Sequence, residues 1–278
     1  MINFFMSENT MHKLDRININ DEDIFFNKYL GKSPVLLDIN KFNWPILSKW
    51  DDLYFEQNYG NLLLKVRQID NIENKIQVVR MSLKSYLKYR EELSADSKQC
   101  INKSKFYYLA DWEITSSNLS LINDFKVPEI FAHDVLDQFP PPLRFGRQWI
   151  FIGHQHVGTP LHKDTFSTCA WLVMVQGTKQ IRIFNDRNIN LDTSVSLFNE
   201  TGVSILETND VFEAIIKPGE ILYIPGNWYH EVKNLDNNIM LTGNFLSKNN
   251  VVSCLNQMEQ RYNEPLKLIN ELKVQFST

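Results

Sequence analysis

The amino-acid sequence predicts a mainly β protein with flanking helices. Between residues 147 and 246 it shows a series of short β-type segments, and Gly, Pro, Asn or Asp separates most of them. On either side, residues 82–93 and 250–273 carry apolar side chains at helical spacing. Many short strands divided by turn residues are typical of a sandwich or a barrel.

Length and composition narrow the class of protein. A single β barrel or sandwich can reach about 250 residues, so a chain of 278 residues is one large domain or two. Hydrophobic residues make up 43% and aromatic residues 12%, which is ample for a core and excludes a disordered chain. The formal charge of -4, without a basic run, excludes a non-specific nucleic-acid binder.

The cysteines and the chain ends bear on location. Cys100, Cys169 and Cys254 are few, odd in number and far apart, so they form neither a disulfide framework nor a CxxC metal site. A reduced cytosolic setting fits them. The N-terminus lacks the pattern of a signal peptide. No apolar run approaches the ~20 residues of a membrane span. We therefore expect a cytoplasmic protein without a membrane partner.

Residues 1–104 are predicted to be an N-terminal α/β elaboration on the core. Its first 20 residues are polar, and we expect them to be loosely ordered. Asp21 or Asp23 is a plausible helix cap, and Gly60 a helix stop. The predicted helices are 21–30, 48–60 and 82–93, and the predicted strands are 33–39, 62–69 and 75–81.

Residues 105–247 are predicted to form the β core, and a double-stranded jelly roll is one such architecture. The segment 139–145, FPPPLRF, is expected to be extended because proline opposes helix. Residues 248–278 are predicted to be helical, with an apolar side that could form a homodimer contact or pack on its own domain. The predicted core strands are 105–112, 147–153, 169–177, 179–185, 213–219, 220–226, 230–235 and 238–246.

Three residues of the core suggest a metal site. His162 and Asp164 are two positions apart, so in extended backbone both side chains point to one side. His230 begins another predicted strand, which can neighbour the first in a jelly roll. A lone HxD pair often arises by chance, but two imidazoles and one carboxylate form the facial triad of non-haem Fe(II) oxygenases. This triad leaves positions open for a keto acid and for oxygen.

A keto acid such as 2-oxoglutarate also needs a cation for its far carboxylate. In the segment KQIRIF, Lys179 shares a face with two isoleucines, whereas a surface lysine would usually lie on the polar face. If the register is reversed, Arg182 faces inward instead. Candidate polar partners of the co-substrate are Tyr108, Thr159, Thr242 and Asn244. His154 and His156 could line the pocket mouth, but a loop position is favoured.

These segments together resemble the jumonji-C hydroxylases of the cupin superfamily. The resemblance covers roughly residues 30–247 and is strongest in HKDTFSTCAWLVMVQGTKQIRIF and KPGEILYIPGNWYHEVKNLDNNIMLTGNF. The VQGTK turn and the PGNWYH segment are most similar to the jumonji lysyl-hydroxylase branch. One departure is visible, since that branch has an Asn where this chain has Leu172, and such an Asn supports the co-substrate.

The resemblance implies an enzyme, a 2-oxoglutarate-dependent dioxygenase. His162, Asp164 and His230 would bind Fe(II), and O2 would be consumed. Four residues would bind the 2-oxoglutarate carboxylate end, with Asn244 beside the metal-bound end or the oxygen site. Those four residues are Tyr108, Thr159, Lys179 and Thr242.

The primary substrate is the open question. We expect hydroxylation of a C–H bond on an amino-acid side chain of a protein or peptide, and a free amino acid or natural-product intermediate is the alternative. The mouth is expected to form from 1–30, 185–212 and the C-terminal helix. Acidic residues in 185–212 are compatible with a cationic substrate or with a solvated loop.

Three rival functions use the same metal ligands. A non-oxygenase metal-binding cupin holding Zn or Mn would not need Lys179 as a co-substrate lysine. An inactive scaffold would commonly have lost a ligand, and this chain keeps all three. An N-methyl-lysine demethylase uses the same chemistry, but a compact chain without a reader domain or zinc motif fits hydroxylation better.

Overall fold

A computed structural model describes residues 11–39, 44–70, 75–95, 103–115, 120–185, 191–261 and 266–276. Within these ranges the chain is built around two β-sheets of five and nine strands. The strands are β1 His12–Lys13, β2 Arg16–Asn18, β3 Val35–Asp38, β4 Leu63–Asp70, β5 Lys75–Ser82, β6 Lys105–Glu113, β7 Gln148–Gly153, β8 Gly158–His162, β9 Cys169–Gln176, β10 Lys179–Phe184, β11 Val211–Ile216, β12 Glu220–Ile224, β13 Tyr229–Asn234 and β14 Asn238–Phe245.

Helices flank the sheets near both ends of the chain. The first continues as a π-helix over Phe25–Tyr29, and short 3-10 turns punctuate the region between β6 and β7. The α-helices are α1 Glu22–Ile24, α2 Ile46–Lys49, α3 Asp52–Tyr59, α4 Leu83–Ala95, α5 Val203–Thr208, α6 Val251–Arg261 and α7 Leu266–Phe276.

The two sheets face each other, since side chains from both meet in one core cluster. The five-stranded sheet runs β1-β11-β10-β13-β8, and the nine-stranded sheet runs β2-β3-β12-β9-β14-β7-β6-β4-β5. Most neighbouring strands are antiparallel, and strands adjacent in a sheet are often distant in sequence. The predicted jelly-roll core with helices on either side is confirmed, whereas the division into 1–104, 105–247 and 248–278 stays a prediction.

Strand β9 shows how the sequence builds two packed layers. Its alternate residues Ala170, Leu172 and Met174 face the interior, where they join isoleucines of β10. Trp171 and Val173 point to the opposite face, where the N-terminal helices cover the sheet. Because both faces are buried, the strand reads as an almost continuous apolar run.

The N-terminal residues depart from the expectation of loose order. β1 pairs in parallel with β11, and β2 pairs in parallel with β3, so each extends a sheet at one edge. Backbone hydrogen bonds to an existing sheet edge order a polar segment that has no hydrophobic pattern of its own. Residues 1–10 lie outside the described part of the chain.

A second departure lies in the proline-rich segment 139–145. Residues Pro141–Leu143 form a 3-10 turn, with proline at the first helical positions. Proline is tolerated there because those N–H groups would have no partner in the helix. The expectation of a fully extended segment was therefore wrong.

The C-terminal helices pack on their own chain. Val251, Cys254, Leu255 and Met258 of α6 are buried with Ile269 and Leu272 of α7, against the proline-rich region. This burial agrees with the second of the two roles considered for the apolar side. Within the described ranges, no helix combines the length and the apolarity needed to cross a membrane.

Candidate metal centre and co-substrate pocket

Three predicted ligands come together at the rim of the five-stranded sheet. His162 ends β8 and lies directly opposite His230 of the antiparallel neighbour β13. The imidazole centroids are 4.1 Å apart. Asp164 follows the strand in extended backbone, and its Oδ1 lies 3.8 Å from Nε2 of His162 and 3.9 Å from Nε2 of His230. One ligand atom from each residue lies within 4.8 Å of the others, close enough for one ion.

Backbone hydrogen bonds orient both imidazoles. Nδ1 of His162 lies 2.8 Å from the carbonyl oxygen of Pro160, and Nδ1 of His230 lies 3.2 Å from that of Trp228. A carbonyl can only accept, so in each neutral ring Nδ1 carries the proton and Nε2 keeps a free lone pair. Both free nitrogens face Asp164. This is the usual second layer of support for a metal-binding histidine.

The electrostatics of the three side chains also fit a cation. Burial holds the pKa of His230 well below its usual value, and the neighbouring His162 lowers it further, so this imidazole stays neutral. Burial raises the pKa of Asp164, against the lowering effects of His162 and of a hydrogen bond from Asn244. A desolvated carboxylate beside two imidazole lone pairs gains most from a divalent cation, which offsets the cost of burial.

The triad opens into a cavity of about 480 Å³. Its walls come from both sheets, since Thr159 lies on β8 whereas Thr242 and Asn244 share one face of β14. Asn244 Nδ2 donates to Thr168 Oγ1 at 2.7 Å beside the metal ligands. Leu172 also lines the cavity, directly opposite Thr242 in the β9–β14 register. An apolar side chain therefore stands where the lysyl-hydroxylase branch has an amide.

Lys179 is fully buried and, like Tyr108, does not itself line this cavity. Its ammonium donates to the Tyr108 hydroxyl at 3.1 Å and lies 5.6 Å from the centroid of Phe151, which lines the cavity. Among the described residues, no carboxylate lies within ion-pair distance of this ammonium. Arg182 points to the outer face, where it pairs with Glu213, so the reversed register is not the one observed.

The mouth differs from expectation. The hairpin β4–β5 and strand β6 contribute to the cavity wall, through Arg67, Ile76 and Asp111. Trp149 of β7 lines it as well. None of these four was singled out in the sequence, because a distant hairpin reaches the site only through sheet pairing. The described residues of 1–30 and of the C-terminal helices do not line the cavity.

The segment 185–212 has a different role from a simple solvated loop. It contains α5, and Leu197 and Ile205 are buried against β13 residue Tyr229. Its residues 193–201 line a neighbouring groove rather than the metal cavity. Two charged residues of this segment, Asp186 and Arg187, lie outside the described residues.

The two histidines near the site occupy different positions. His154 follows β7 and is buried, with Nε2 3.1 Å from the carbonyl oxygen of Tyr107. His156 lies in the loop and stacks on Phe106 at 5.3 Å. Neither joins the triad, in line with the expected loop position.

Comparisons with known proteins agree with this architecture. Among curated relatives, the arginine-specific demethylase JMJ22 of Arabidopsis thaliana is 27% identical over 85% of this chain and 46% of its own length. The 2-oxoglutarate and iron-dependent oxygenase JMJD4 of Mus musculus is 26% identical over 76% of this chain and 53% of its own.

A third relative is the bifunctional arginine demethylase and lysyl-hydroxylase psr-1 of Caenorhabditis elegans. It is 25% identical over 87% of this chain and 62% of its own length. The chain thus spans less than two thirds of each of these relatives. Their names confirm the resemblance to jumonji-C oxygenases. The family model described as a cupin-like domain matches residues 22–250, so this chain belongs to the cupin-like domain family.

Proposed function

We propose that this chain is an Fe(II)- and 2-oxoglutarate-dependent oxygenase that hydroxylates a C–H bond, with an amino-acid side chain of a protein or peptide as substrate. His162, Asp164 and His230 bind the iron. The co-substrate is held by a polar set that reaches from the metal to the buried lysine. That set is Tyr108, Thr159, Lys179, Thr242 and Asn244.

The observation that carries this proposal is the buried ammonium of Lys179. A buried charge without an ion partner is costly, and proteins keep one where a ligand supplies the opposite charge. Phe151, whose ring centroid lies 5.6 Å from this ammonium, lines the cavity that contains the triad, and Thr159 and Thr242 line the same cavity. A dicarboxylic keto acid fits this arrangement, because its keto end can reach the metal while its far carboxylate pairs with the lysine.

The donor set fits iron, since two imidazoles and one carboxylate on a single side leave room for further ligands. When bound, iron supplies the oxidation that couples decarboxylation of 2-oxoglutarate to succinate with hydroxylation of the substrate by O2. The chain orients the ligands through the Pro160 and Trp228 carbonyls and keeps the co-substrate tail dry. Asn244 fixes Asp164 and Thr168 around the metal position.

A peptide substrate is supported by a second groove beside the cavity. This groove has a volume of about 740 Å³, and it shares four lining residues with the metal cavity, namely Ile76, Thr159, Pro160 and Val232. An extended chain lying in it would place one side chain at the metal and its neighbours along residues 193–201. The alternative substrate, a free amino acid or natural-product intermediate, would leave this groove empty.

N-demethylation is the second candidate reaction, favoured by two of the relatives whose names include arginine demethylase. Hydroxylation of an N-methyl carbon is the same chemistry and releases formaldehyde. A non-oxygenase cupin is the third candidate, and it has no use for the anion-binding position at Lys179.

Succinate formation separates these functions. Purified protein with Fe(II), ascorbate and 2-oxoglutarate under air is expected to form succinate, and His162→Ala is expected to form none. With an added peptide, a mass gain of one oxygen indicates hydroxylation, whereas loss of a methyl group with formaldehyde indicates demethylation. Tight Zn or Mn binding without 2-oxoglutarate binding or succinate would overturn the oxygenase proposal.

A further inference from the structure

A carboxylate at the cavity mouth has no role in the chemistry proposed above. Asp111 lies in β6, where the register with β7 shifts between Leu109 and Trp112. Its φ is 58°, in the left-handed region that L-residues other than glycine, asparagine and aspartate rarely enter. Strained positions of this kind concentrate at ligand sites, and irregular strands re-aim side chains.

The irregularity directs Asp111 into the cavity that contains the triad. Among the described residues that line this cavity, Asp111 is the only carboxylate besides the metal ligand Asp164. Trp149 of the neighbouring strand lines the same cavity. A carboxylate can bind a cation through an ion pair, and an indole can bind it through its aromatic face.

In the structure the carboxylate is already paired with Arg67 from the β4–β5 hairpin. This pair lies in contact with solvent, since the Asp111 side chain is 50% exposed and the Arg67 side chain 26% exposed. Solvent-exposed pairs contribute little to stability. A cation arriving from solution can therefore exchange with Arg67 at little cost.

We propose that Asp111 is a specificity-determining residue that binds the cationic group of the substrate, an alkylammonium or a guanidinium. Arg67 occupies the carboxylate in the free protein and competes with the substrate for it. The inference deepens the proposed function and rests on it. The carboxylate rather than Arg67 is the recognition group, because Asp111 has the left-handed backbone at the strand irregularity and its side chain is the more exposed of the two.

The experiment uses small probes of defined charge. The cationic probes are the Nα-acetyl amides of arginine and lysine, and their neutral counterparts are those of citrulline and norleucine. Binding is measured by calorimetry with the protein alone and with Fe(II) and 2-oxoglutarate under nitrogen, which prevents turnover. The quantity of interest is the ratio of neutral-probe to cationic-probe dissociation constants.

We expect wild type to prefer the cationic probe by about twofold to fivefold, the size of one partly exposed charge contact. Asp111→Asn is expected to bring the ratio near one, because asparagine tolerates the left-handed backbone but has no charge. Asp111→Gly relieves the strain and should do the same. Arg67→Gln is expected to tighten cation binding several-fold. Glu92→Gln, which alters an exposed pair with Lys88 on α4, is the matched control and should keep the wild-type ratio.

Two results would overturn the inference. One is an unchanged ratio in both Asp111 variants. The other is a preference of wild type for Nα-acetyl-glutamate amide over the cationic probes that is lost in Arg67→Gln, which would make Arg67 the recognition group for an anion. Failure of the proposed function has a different signature, since it is the absence of succinate from wild type, whatever the ratio of the probes.

Discussion

The two ends of the site, the metal triad and the buried Lys179, differ in how far they are exposed to solvent. At the metal end, the His162 and Asp164 side chains are 36% and 21% exposed, and Arg67 and Asp111 form an exposed rim. The closed end is the pair Lys179 and Tyr108, which are completely buried beside Phe151 of the cavity wall and do not line the cavity themselves. The open end lies where a variable substrate must enter and leave, whereas the closed end surrounds a position that one constant ligand can fill.

The difference also appears in how polar groups are satisfied. Around the metal position, both imidazoles are oriented by backbone carbonyls and keep lone pairs free. At the closed end, the ammonium has a hydroxyl partner but no described carboxylate. The imidazole lone pairs thus have room for a metal cation, and the ammonium has room for a carboxylate. A metal ion with a bound dicarboxylate would supply both partners.

Loss of a metal ligand should have the largest effect on activity. Asp164→Ala is expected to abolish iron retention and to lower succinate formation roughly a thousandfold, because the metal supplies several kcal/mol of stabilisation to the reaction. Metal content measured by plasma mass spectrometry checks the first point. Asp192→Ala, in an exposed loop, is the control. A folded Asp164→Ala protein that still binds one iron tightly would contradict the assignment.

Removing the charge at the closed end should leave metal binding intact. Lys179→Met keeps the length of the side chain, and we expect 2-oxoglutarate to bind about a hundredfold more weakly, as for loss of one buried charge partner. Calorimetry with Mn(II)-loaded protein measures this. Lys217→Met changes an exposed lysine and should have no effect. Equal affinities in Lys179→Met and wild type would show that the far carboxylate lies elsewhere.

The stability of the fold should also be sensitive to acid through the buried side chain of His154. Burial lowers the pKa of His154 to about 4, and Nδ1 accepts the backbone N–H of His156. Because the unfolded chain protonates near pH 6.5, this neutral histidine stabilises the fold above that value and its contribution is lost as pH falls toward 4.

The contribution lost between about pH 7 and about pH 4.5 is roughly 2 kcal/mol. Urea unfolding at the two pH values should therefore show a smaller pH dependence in His154→Phe than in wild type. His133→Gln, at an exposed position, should keep the wild-type dependence. The same difference between wild type and His154→Phe at both pH values would rule out this account.

The smallest effect is expected from the hydroxyl beside the lysine. Tyr108→Phe keeps the ring and removes one hydrogen bond, so 2-oxoglutarate affinity should fall by about threefold to tenfold. Tyr107→Phe is the control, since that hydroxyl accepts from Gln68 away from the cavity. A much larger loss in Tyr108→Phe would mean that the hydroxyl also positions Lys179.

Several parts of the fold could be predicted because the signal was local. Short apolar segments bounded by turn residues predicted the core strands between residues 147 and 246. The exception is β8, which was not predicted as a separate strand. The spacing of His162 and Asp164 was informative for the same reason, since extended backbone sends i and i+2 to one side. The prediction of loose order was wrong for residues 11–20, because their order comes from pairing with distant strands.

By itself the sequence determined the β core, the candidate ligands and the two alternatives for an inward cation, Lys179 and Arg182, because strand periodicity and residue chemistry are written within short segments. Only the tertiary structure decided that His162 lies opposite His230, that Lys179 is buried beside Tyr108, and that Arg67 and Asp111 meet at the mouth. These depend on register between strands far apart in the chain, which is set by the packing of both sheets rather than by any local pattern.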